Sequence, residues 1–79
     1  MPYAAPPVGD LRFRPPTEYE WDTTTFDATT SGTECLTDEY GEVNGSEDCL
    51  ILDIYSPRSP DAAPVMLWIH GGGFTSGSG

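Results

Sequence analysis

Seventy-nine residues can bury only about 60 to 65% of the surface that the unfolded chain exposes, so one small domain of marginal stability is the ceiling. Thirteen carboxylates face three arginines, Arg12, Arg14 and Arg58, with no lysine, for a net charge of −10. That balance argues against a nucleic-acid partner, which needs clustered cations; the acidity reads as a solvated surface, or as a field that steers cations toward a site. No run of eighteen apolar residues is present to span a membrane.

In chain order, MPYAAPPVGD carries neither the basic start nor the apolar stretch of a signal peptide. Its prolines read as a loop entered partway through a larger protein, with Met1 not expected to be the natural start. In LRFRPP, Leu11 and Phe13 alternate with Arg12 and Arg14, the period-2 pattern of a short edge strand that Pro15 and Pro16 end. The Thr- and Asp-rich middle, TEYEWDTTTFDATTSGTEC, lacks a period and is expected to be loop broken by turns, with Trp21 and Phe26 anchoring it to a core.

Cys35 and Cys49 enclose thirteen residues. Zinc is a poor explanation, because His70 is the only histidine and neither cysteine has a partner two to four residues away. A disulfide is the better reading, two free buried thiols the other. Closing a loop of this size stabilises by about 3 kcal/mol in the chain-entropy model and implies an oxidising compartment. Inside the loop, Asn44-Gly45-Ser46 is an N-glycosylation sequon consistent with secretion; Asn-Gly is equally a turn signal.

From Cys49 onward the pattern sharpens. In CLILDIYSP, Leu50, Leu52 and Ile54 share one face of a strand while Ile51, Asp53 and Tyr55 share the other. After the loop SPRSPDAAP, VMLWIH is apolar on both faces, which suits the centre of a covered sheet. Such a strand requires layers on both sides, and no amphipathic helix is present to supply them. The sequence therefore behaves like part of a domain.

That strand runs into the glycines of HGGGFTSGSG. A phosphate-binding P-loop needs a lysine the chain does not have, and the dinucleotide pattern Gly-x-Gly-x-x-Gly places its third glycine on Ser76. What survives is the His-Gly-Gly-Gly arrangement of an acyl-transfer oxyanion hole, in which residues without side chains let backbone N–H groups approach a developing negative charge.

The blocks PYAAPPVGDLRFRPP, WDTTTFDAT, SEDCLILDIYSP and PVMLWIHGGGFTSGSG, in that order, resemble the N-terminal portion of the type-B carboxylesterase family, which includes carboxylesterases, cholinesterases, juvenile-hormone esterases and related lipases. The resemblance implies an α/β-hydrolase fold, of which residues 1–79 would be a partial domain of loops and central-sheet strands, incomplete at the C-terminal side and at the N-terminus. It makes Gly72 and Gly73 the backbone donors of the oxyanion hole, with Gly71 permitting the tight turn that leaves the strand. Cys35 and Cys49 match the family's first disulfide. Arg12 and Glu47 match a buried or half-buried salt bridge, whose disruption would cost about 3 to 5 kcal/mol if buried. His70 matches a position that shapes the oxyanion loop; the family's catalytic histidine lies far downstream.

No Gly-x-Ser-x-Gly nucleophile elbow occurs, and neither Ser76 nor Ser78 has the flanking glycines it needs. The acid and base that follow the nucleophile in this fold are absent as well, so these residues alone are expected to be inactive. The cholinesterase branch places a tryptophan in its disulfide loop, whereas here Tyr40 is that loop's only aromatic. A general carboxylic or lipid ester is therefore the expected substrate rather than a choline ester, with no cofactor, and a secreted or endoplasmic-reticulum location. Two other readings remain: a non-catalytic adhesion or binding ectodomain of the same family, and a complete small secreted module with one disulfide.

Overall fold

The computed structural model describes residues 1–22, 25–58 and 61–79. Among them the regular elements are a 3₁₀ turn over Gly9–Leu11 and two strands, β1 (Thr37–Glu39) and β2 (Glu42–Asn44), paired as an antiparallel hairpin with Asp38 opposite Val43. No α-helix occurs among the described residues.

The hairpin forms because Tyr40 and Gly41 both take positive φ, 57° and 86°, which is what a two-residue type I′ loop demands. The Gly41 N–H donates to Asp38 Oδ1 at 3.1 Å and fixes the turn. The turn thus falls at Tyr40–Gly41 and not at Asn44-Gly45. Gly45, with φ 95°, serves the base of the loop instead, where a Cβ would run into the Cys35 carbonyl oxygen. This close approach lets Ser46 N donate to Glu34 O at 2.9 Å and Leu36 N donate to Ser46 O at 3.2 Å, closing that base. The disulfide Cys35–Cys49 ties the same base with Cα atoms 4.9 Å apart.

The edge strand expected over Leu11–Arg14 is not formed. Arg12 N donates to Gly9 O and Arg14 N to Leu11 O, three-residue returns that consume the amides a strand would offer a neighbour, and Phe13 sits at φ 60°. The strand expected from Leu50 survives only as a short pairing with the N-terminus. Tyr3 N donates to Leu50 O at 3.0 Å, Leu52 N donates to Met1 O at 2.9 Å, and Pro2 bridges Ile51. Leu50 and Ile51, on opposite faces, are half-buried, while Leu52, though paired, is exposed along with Ile54 and Tyr55.

The second expected strand, Val65 to His70, pairs with nothing among the described residues; Met66 is 94% exposed and Trp68 80%. An apolar strand is held by neighbours on each edge and each face, and no described segment takes those places. The core is correspondingly small: Ala4 is the only buried hydrophobic residue among those described. Trp21 and Phe26, expected as core anchors, are instead half-exposed and stack edge-on with each other at 5.6 Å, with Tyr19 edge-on to Trp21 at 4.7 Å. Beside them the carboxylate of Asp27 accepts from the hydroxyl of Thr29 at 2.7 Å and from its N–H at 3.0 Å. These bonds favour the ionised form and hold Asp27 below the ordinary aspartate pKa.

Candidate functional site

The glycine loop after the apolar segment is built around one carbonyl. Gly72 O accepts from Thr75 N at 3.1 Å, Ser76 N at 3.2 Å, Thr75 Oγ1 at 3.1 Å and Ser76 Oγ at 3.4 Å. Four donors on one oxygen close a turn over Gly72–Ser76. The chain enters it with Gly72 at φ 123°, Gly73 at 61° and Phe74 at 65°, a succession that L side chains rarely adopt. A Cβ on Gly72 would overlap the Ser76 carbonyl oxygen, so a side chain there is excluded both by conformation and by space.

Gly71 differs from the expectation that it permits the tight turn. Its φ is not in the positive region, and a Cβ there would meet nothing within 4 Å. The conformational demand lies instead on Gly72 and Gly73. Gly77 was not singled out by sequence reasoning, yet at φ 96° its backbone approaches so closely that a Cβ would lie 2.5 Å from Gly71 O and 2.9 Å from His70 Nδ1. His70 Nδ1 is itself 2.7 Å from Gly71 O. The grip of Thr75 and Ser76 on Gly72 was also missed. Its signal was the placement of two hydroxyl residues three and four positions after a glycine, from which such side chains bond back to a carbonyl.

Elsewhere the other marked residues meet as pairs. Arg12 Nε forms an ion pair with Glu47 Oε1, bringing the Gly9–Leu11 turn to the disulfide loop, and the guanidinium carbon lies 4.7 Å from the centre of the Phe13 ring. The two side chains are 53% and 36% exposed, so here the pair is neither buried nor in line for the cost of breaking a buried one. Asn44 is exposed at the end of β2 opposite Thr37. A groove of about 230 Å³ is lined by Tyr3, Ala5, Leu11, Arg14 and Leu50 among others, and contains no residue of the Gly71–Ser76 turn. No cluster of His, Cys, Asp or Glu suited to a metal ion occurs among the described residues.

The Cys35–Cys49 disulfide and the Arg12–Glu47 pair that the resemblance called for are both formed, and comparison with known proteins decides the family. The Carboxylesterase family model matches residues 1–79, the whole chain. The chain belongs to the carboxylesterase family. It is 45% identical to fumonisin B1 esterase of Sphingopyxis macrogoltabida over 100% of this chain and 16% of that protein. It is 42% identical to para-nitrobenzyl esterase of Bacillus subtilis, over 100% of this chain and 18% of that protein. Acetylcholinesterase 1 of Caenorhabditis briggsae is 38% identical over 99% of this chain and 15% of its own length. The chain thus spans about one-sixth of the length of the curated relatives it matches. No solved structure matches it. Membership in the carboxylesterase family implies the α/β-hydrolase fold, of which the described residues form a hairpin and loops.

Proposed function

We propose that the carboxylesterase-family protein represented by this chain hydrolyses carboxylic or lipid esters through a serine acyl-enzyme, and that the present residues supply its oxyanion hole. Gly72 and Gly73 donate their N–H groups to the oxygen of the tetrahedral intermediate. The observation that carries this is the Gly72–Ser76 turn, whose positive φ values and occupied Gly72 carbonyl leave the Gly73 N–H outside the turn's own hydrogen bonds. The esterase names of the relatives support the reaction class.

The nucleophile, the acid and the base come from outside these 79 residues, which do not contain Gly-x-Ser-x-Gly. The protein works in an oxidising compartment, where Cys35–Cys49 persists, and Asn44 on the exposed end of β2 accepts an N-glycan. No cofactor takes part, since attack, proton transfer and oxyanion stabilisation need only side chains and backbone.

The test is stopped-flow hydrolysis of a short-chain nitrophenyl ester by the full-length protein. A nitrophenolate burst stoichiometric with enzyme, lost when the serine of a downstream Gly-x-Ser-x-Gly is replaced by alanine, is the expected result. A full-length protein without turnover would instead favour a binding ectodomain.

A further inference from the structure

In a planar trans peptide the C=O of one residue and the N–H of the next point in opposite directions. The carbonyl of Gly72 and the N–H of Gly73 therefore belong to one rigid plate, and whatever grips the oxygen aims the hydrogen. That oxygen is held by the two backbone amides of Thr75 and Ser76 and by both their hydroxyls, at 3.1 to 3.4 Å. The neighbouring plate is treated in the same way: Gly71 O, whose peptide carries the Gly72 N–H, lies 2.7 Å from His70 Nδ1. Glycine makes such a grip necessary, because it is the residue with most freedom to lose, and three consecutive glycines left alone would sample many orientations of both donors.

We infer that Thr75 and Ser76, and on the adjoining plate His70, are positioning residues that clamp the carbonyl ends of the two glycine peptides and so aim the Gly73 and Gly72 N–H groups. The inference rests on the oxyanion reading above. It adds a reason for the hydroxyls at 75 and 76, and names the contact, His70 Nδ1 on Gly71 O, through which the ring of His70 would shape the loop.

The experiment uses full-length protein labelled with ¹⁵N-glycine, with Thr75→Val/Ser76→Ala, His70→Phe and Thr75→Ser variants. Two quantities are read: the amide order parameter of each glycine, and the affinity for a trifluoromethyl ketone, which becomes a tetrahedral oxyanion on the enzyme. In the double variant the Gly73 amide is expected to fall from about 0.85 toward 0.6 or below. Affinity for the ketone and kcat should drop together by about tenfold with KM little changed, the loss expected from one or two hydrogen bonds. Thr75→Ser, which keeps both hydroxyls, is expected to leave both quantities at the parent's values. His70→Phe should loosen Gly72 and leave Gly73 in place. An unchanged Gly73 order parameter in the double variant would overturn the clamp whatever the activity does. A loosened Gly73 with undiminished ketone affinity would leave the peptide clamp standing but overturn its catalytic purpose, and the oxyanion reading with it.

Discussion

At the scale of single residues, the three consecutive glycines are not equivalent. Gly72 combines φ 123° with a Cβ position occupied by the Ser76 carbonyl oxygen, whereas Gly71 has neither constraint. Gly72→Ala is therefore expected to open the turn and lower kcat of the full-length enzyme by about a hundredfold or more, the cost of losing an oxyanion donor. Gly71→Ala should leave kcat within severalfold of the parent. Equal losses in the two variants, measured by the same steady-state assay, would show that the turn does not position the donors. The sequence made these glycines legible as a group, through the pattern His70-Gly71-Gly72-Gly73. It assigned the tight turn to Gly71, whereas the constraint falls on Gly72 and Gly73, because it depends on where the Ser76 carbonyl lies, which only the folded turn determines.

At the scale of elements, the Cys35–Cys49 loop was legible as a closed loop but not as a hairpin. Its strands are three residues each, too short for a period to register, and its turn is Tyr40–Gly41 where Asn44-Gly45 is the stronger motif. The conflict is resolved by Cys35: its carbonyl occupies the space beside Gly45 and commits that glycine to the base of the loop. The hairpin also carries a visible cost, since Glu39 stands directly opposite Glu42, and like charges so placed repel. Two three-residue strands are marginal on their own, so the disulfide is what holds them, at about 3 kcal/mol in the chain-entropy model. Glu42→Lys should accordingly raise stability by about 0.2 to 1 kcal/mol in chemical denaturation, with the gain shrinking in 1 M salt, where screening acts within about 3 Å. A gain that salt leaves unchanged would assign the effect to side-chain packing and not to charge.

On the scale of the whole molecule, the sequence and the fold disagree most where the sequence pattern was clearest. Val65 to Ile69 reads as the centre of a covered sheet, and it stands exposed and unpaired among the described residues. The pattern records where a segment prefers to be, while pairing requires neighbours, and this chain spans about one-sixth of the relatives it matches. The same reasoning accounts for Leu52 and Ile54, which alternate correctly but find only Met1–Tyr3 to pair with, and only as far as Leu52. Local chemistry survives without those neighbours: the Cys35–Cys49 disulfide closes a loop of thirteen residues and the Gly72–Ser76 turn closes over five. The disulfide and the place of the glycine turn were therefore more legible than the strands around them, because a local turn carries most of its own instructions and a central strand carries few.

The most direct test of the central claim is the crystal structure of the full-length protein after reaction with an organophosphonate ester, whose serine adduct mimics the tetrahedral intermediate. A phosphonyl oxygen is expected about 2.7 to 3.1 Å from both the Gly72 and the Gly73 nitrogen, with Thr75 and Ser76 still bonded to Gly72 O. An adduct whose oxygen is held by other donors, with the Gly72 and Gly73 N–H groups turned away from it, would contradict that claim.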